Sequence, residues 1–65
     1  MYEFTHSHRG YELQLHAWPM GMWEWMHETF GRPVGRSDGR WDSYDVWLFI
    51  YNEADVTLFL LKWSK

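Results

Sequence analysis

Six tryptophans, Trp18, Trp23, Trp25, Trp41, Trp47 and Trp63, are spread over a chain of 65 residues that contains no cysteine. A domain of this size buries only about 60% of the surface its unfolded chain exposes, which leaves little interior for six indoles. The tryptophans must therefore supply both the core of one small domain and part of its contact surface. Without disulfides or thiolate metal sites, stability has to come from packing, from a partner, or from both. The lack of cysteine fits a reducing compartment.

The opening Met1-Tyr2-Glu3-Phe4-Thr5 carries neither the basic region nor the apolar run of a secretory leader. The apolar stretch Val56 to Leu61, which contains Thr57, is far below the roughly 20 residues that span a bilayer. A soluble, cytoplasmic protein with no membrane partner is expected. The net charge of -3 opposes non-specific binding to a phosphate backbone. Its distribution is uneven: Arg9 stands against Glu3, Glu12, Glu24 and Glu28 in the first half, whereas Arg32, Arg36 and Arg40 follow with only Asp38 among them.

Tyr2, Phe4 and His6 alternate with Glu3 and Thr5, and Tyr11, Leu13, Leu15 and Ala17 alternate with Glu12, Gln14 and His16. Period-two alternation predicts two strands with one covered face each, and Ser7-His8-Arg9-Gly10 has the length and glycine of a hairpin turn. Proline suits a first helical turn, so a helix is expected to begin near Pro19. Met22, Trp23, Met26 and Phe30 follow at helical spacing, with Trp25 and Thr29 at one edge and Glu24, His27 and Glu28 outward. Gly31 and Pro33 end the element. Gly21 would cost about 1 kcal/mol inside the helix, unless the helix starts after it.

Residues 31–43, with three glycines and one proline, read as a single long basic loop whose far end Trp41 could pin. Tyr44 to Tyr51 reads as one central strand, apolar on both faces. Asn52 offers a helix cap, Glu53 and Asp55 suit a first turn, and Val56, Phe59, Leu60 and Trp63 recur at three and four. A short C-terminal helix is preferred there. The alternative is a turn at Asn52–Asp55 and a last strand from Val56 to Trp63. The expected fold is a single α+β domain over residues 1–65, with an antiparallel sheet of two to three strands packed against one main helix.

The segment Ile50-Tyr51-Asn52-Glu53-Ala54-Asp55-Val56-Thr57-Leu58-Phe59-Leu60-Leu61-Lys62-Trp63 resembles the carboxy-terminal pattern of small uncharacterised accessory proteins of tailed bacteriophages. There an aromatic strand leads into an acidic start, an apolar helix and a basic-aromatic end. The Trp-rich helix closing at Thr29-Phe30-Gly31 is similar too, so about half the chain is covered. Leu60 departs from the pattern, which has a charged residue there. The resemblance implies a phage accessory protein acting on a host protein in the host cytoplasm, and it carries no catalytic residue over.

His6-x-His8 could place two imidazoles on one side of an extended segment, but His16 and His27 add no recognised metal-ligand spacing, so no metal or other cofactor is expected. Glu24 and Glu28 share a helix face and Asp42 and Asp45 flank Tyr44, but acid–base chemistry needs a dry cleft that a chain this short has little volume to form. Gly31-x-x-x-Gly35 followed by Arg36-Ser37 lacks the lysine of a phosphate-binding loop. An enzyme is not expected.

Trp23, Met22, Met26, Phe30, Trp47 and Phe59 are assigned to the core, which leaves Trp18, Trp25, Trp41, Tyr44, Tyr51 and Trp63 as protein-binding candidates. With a helix on one sheet face, the strand through Tyr44 to Tyr51 must also leave aromatic groups on the opposite face, a docking surface for a host or phage protein or for a second copy of the chain. The alternatives are a nucleic-acid-associated protein using Arg32, Arg36, Arg40 and Trp41, with guanidinium groups on phosphate and the indole on a base, and a homo-oligomeric structural protein.

Overall fold

Alternation at period two builds the first half of a sheet. β1 (Thr5–Ser7) and β2 (Gly10–Gln14) pair antiparallel, with Thr5 opposite Glu12, His6 opposite Tyr11 and Ser7 opposite Gly10. The computed structural model describes residues 2–35 and 39–64. Gly10 has φ 121°, and a Cβ there would lie 2.9 Å from the Tyr51 Cα and 3.0 Å from the Ile50 carbonyl oxygen. Both the backbone angle and the close approach of the neighbouring chain require glycine.

α1 (Met22–Phe30) begins after Gly21 rather than at Pro19. The Pro19 carbonyl accepts the Met22 N–H at 3.0 Å in a preceding turn, and Gly21 at φ 86° leads into the first helical bond, from the Trp25 N–H to the Gly21 carbonyl at 2.9 Å. Gly31 closes the helix at φ 84°, its N–H donating to the His27 carbonyl.

The expected loop over residues 31–43 and the expected single strand from Tyr44 to Tyr51 both require correction. A hairpin occupies their junction: β3 (Trp41–Tyr44) and β4 (Trp47–Ile50) pair antiparallel with Trp41 opposite Ile50 and Tyr44 opposite Trp47. Asp45 reverses the chain at φ 57°, a left-handed position that two-residue hairpin turns usually give to glycine, asparagine or aspartate.

α2 (Glu53–Trp63) is a helix, so the alternative of a last strand does not hold. The Asn52 side chain accepts the Ala54 N–H at 3.0 Å, and its carbonyl accepts the N–H groups of Asp55 and Val56. With 11 residues against the 9 of α1, it is the longer helix rather than a short appendage.

The fold of the described residues is α+β: one four-stranded antiparallel sheet in the order β1-β2-β4-β3, rather than the expected two to three strands because the β3–β4 hairpin adds one, with two helices. Cross-strand register assigns the faces. Tyr11 pairs with Ile50 and Leu13 with Leu48, while Trp41 pairs with Ile50, so these side chains share one face. They form the core with Leu15, with Met22, Met26 and Phe30 of α1, and with Val56 and Phe59 of α2. Both helices therefore cover the same face of the sheet.

Candidate functional site

Among the described residues no helix lies over the opposite face. Two rows of side chains cross it on β2, β4 and β3: Glu12, Phe49 and Asp42 in one, and Gln14, Trp47 and Tyr44 in the next. Strand geometry sets the rows about 7 Å apart. Phe49 is buried yet stands outside the core cluster. The guanidinium of Arg9 lies over its ring, 4.2 Å from the ring centroid. Tyr44 is 74% exposed and Trp47 is half-buried.

One border of this face is made by the chain leaving α1. The Val34 N–H donates to the Trp41 carbonyl at 2.8 Å, which occupies part of the outer edge of β3. The Tyr51 hydroxyl donates to the Val34 carbonyl at 2.9 Å. Burial, and then the negative charge of Asp42, push the Tyr51 phenol above its ordinary pKa, while nearby Arg9 pulls in the other direction.

The tryptophans expected at a binding surface fall in different places. Trp41 is in the interior with no exposed surface, and its Nε1 donates to the Gly31 carbonyl at 2.8 Å. Its assignment as a protein contact, and as a base-stacking residue, is corrected: β3 register directs the ring under α1. Trp23, assigned to the core, is 42% exposed, packed edge-on against Trp18 and Trp41 and tilted over His27. Trp18, Trp25 and Trp63 are half-buried. Trp25 lies edge-on to Phe30, Phe59 and Trp63, and so ties the two helices together. Of the six candidates, only Tyr44 and Tyr51 belong to the uncovered side of the sheet or its border.

The arginine loop also divides. Arg40 binds Asp55 of α2 through Nε at 3.1 Å and Nη2 at 2.8 Å, and its Nη1 donates to the Thr29 carbonyl of α1. Its guanidinium lies 4.9 Å from the Phe30 ring centroid. Arg40 is thus committed to joining the helices, which corrects its assignment to phosphate contact. Arg32 is exposed, and Arg36 lies outside the described residues.

His6 stacks at 4.8 Å on Tyr11, and the His27 Nδ1 meets the Trp23 carbonyl at 2.9 Å. Among the described residues no three His, Asp or Glu side chains converge, no pocket opens, and no helix is long and apolar enough to cross a membrane. The sequence points to the uncovered face in general without singling out Arg9, Glu12, Asp42 and Phe49, and the assignment of Trp47 to the core is corrected, because its register with Gln14 and Tyr44 puts it on this face. The parity of Glu12 and Gln14 on β2 was the available signal.

The chain matches no protein-family model, no curated protein and no solved structure among those compared.

Proposed function

We propose that this chain is a non-catalytic protein-binding domain that docks on its target through the uncovered face of the sheet. The observation that carries the reading is the one-sided placement of the helices. It leaves Trp47 and Tyr44 side by side on the sheet with neither helix of the described chain over them. Aromatic side chains on a fixed scaffold are efficient contacts, because they bury large areas at small cost in side-chain entropy. Binding acts by occupation, and the resemblance of residues 50–63 to phage accessory proteins supports a host protein as the target.

The test compares capture of proteins from a bacterial lysate, after nuclease treatment, by the tagged wild-type chain and by a folded Tyr44→Ala/Trp47→Thr variant. A protein held by the wild type and released by the variant supports the reading. Equal retention by both, or loss of every partner on nuclease treatment, overturns it.

A further inference from the structure

The chemistry of the face narrows the kind of partner it fits. Across three neighbouring strands, Glu12 and Asp42 flank Phe49, and Asp45 stands at the turn beyond Tyr44. Among the described residues the sole ion pair is that of Arg40 with Asp55, so none of these three carboxylates has a described cation within 4.0 Å. The ring between them already carries a guanidinium, that of the chain's own Arg9. This face therefore accepts a planar cation on an aromatic surface bordered by negative charge. One row further along β4, Trp47 and Tyr44 offer a second such surface, over which no described cation lies.

We infer that the uncovered sheet face binds a basic, arginine-bearing segment of a partner protein. One guanidinium stacks on the Trp47–Tyr44 pair while neighbouring basic side chains face Glu12, Asp42 and Asp45. The inference rests on the docking role proposed above and adds the partner's chemistry. Charge complementarity is what selects this occupant. A second copy would bring Glu12 and Asp42 against carboxylates of its own kind, and a nucleic acid would bring phosphates to the same groups. Indole is the best aromatic partner for a cation, and arginine adds planar stacking that lysine lacks.

The probe is a fluorescein-labelled peptide of alternating arginine and serine, with citrulline and lysine versions as controls. Binding is read by fluorescence anisotropy and mapped by amide and indole chemical-shift changes in the full chain. The arginine peptide is expected to bind, to weaken with salt, and to shift the resonances of Trp47, Tyr44 and Glu12. Citrulline, which keeps the shape without the charge, should bind at least about fivefold more weakly. Glu12→Gln/Asp42→Asn should weaken binding by a similar factor, whereas Glu24→Gln/Glu28→Gln, which removes equal charge from α1, should not. All variants are first checked for wild-type thermal midpoints, with Tyr44→Ala as the variant least exposed to folding loss.

Equal binding of the citrulline peptide, equal loss in both charge pairs, or shifts confined to the helices would overturn the inference. So would preference for a single-stranded oligonucleotide, or dimerisation through this face in sedimentation. If the arginine peptide fails while Tyr44→Ala/Trp47→Thr still releases a captured protein, the basic partner is refuted and the docking face stands.

Discussion

Arg40 grips Asp55 at two points, Nε to Oδ2 at 3.1 Å and Nη2 to Oδ1 at 2.8 Å. Asp55 is in the first turn of α2 with its side chain 10% exposed, whereas the Arg40 side chain is 51% exposed. The same guanidinium reaches the last turn of α1 at Thr29. Removing the arginine leaves a buried carboxylate with no described cation beside it. Arg40→Ala should therefore destabilise the fold by about 1–3 kcal/mol, below the figure for a fully buried pair because the arginine is half in water. Arg40→Lys should recover only part of this, since a single ammonium does not reproduce the planar two-point contact. Urea unfolding measures both, and an unchanged Arg40→Ala midpoint would refute the bracing role.

Trp41 and Tyr44 begin and end the same strand with opposite environments. Trp41→Ala removes a fully enclosed indole and should cost about 3–5 kcal/mol. Trp41→Phe keeps most of the ring but leaves the Gly31 carbonyl without its donor, for about 1–2 kcal/mol. Tyr44→Ala should stay within about 0.5 kcal/mol, as expected of an exposed position. Thermal melts that ranked Tyr44→Ala with Trp41→Ala would contradict the burial pattern.

Gly21 separates backbone strain from steric clash. It takes φ 86°, and a Cβ built on it meets no atom within 4 Å. L-alanine there should cost about 1 kcal/mol from the angle alone. D-alanine, accessible by chemical synthesis at this length, should instead stabilise by about 0.4–1 kcal/mol by restricting the unfolded chain. Gly10→Ala meets the backbone at Tyr51 as well as an unfavourable angle, so it should be the more damaging substitution. Calorimetry on the three proteins checks the order.

Tyr51 gives the fold an alkaline limit. Its phenol is raised in the folded state, chiefly by burial and then by Asp42. The folded chain consequently holds this proton at pH values where the unfolded chain has released it, and stability falls as pH rises. The contribution is fully present below the ordinary tyrosine pKa of about 10 and disappears as pH climbs through the raised folded value. Asp42→Asn should lower the Tyr51 pKa and Arg9→Ala should raise it, both measurable by ultraviolet titration of the phenolate. The opposite pair of shifts would refute the assigned causes.

The parts of this fold legible in the sequence were those set by local chemistry. Gly31 and Asn52 marked a helix end and a helix start because capping depends on the residue in place. The β3–β4 hairpin escaped because its turn, Asp45-Val46, lacks glycine and sits inside an aromatic and aliphatic run. That omission concealed the place of Trp41, whose burial follows from its pairing with Ile50. Trp23 departs from the core for a different reason. Met22, Met26 and Phe30 form a row four residues apart that fills the helix's inner line, and Trp23 is turned away from that line by one residue. The uncovered face was inferable from alternation, but its carboxylate and arginine components depend on register between strands distant in sequence.

The Tyr2 N–H donates to the Ser64 hydroxyl at 3.3 Å, and Tyr2 lies edge-on against Phe59 of α2. The two extremities of the described chain thus meet beside the helical layer, away from Tyr44 and Trp47. A short covalent link between Tyr2 and Ser64 would tie the segment before β1 to the end of α2 without displacing any helix or strand. Such a link would lie on the helical side and leave the aromatic rows free to engage a target.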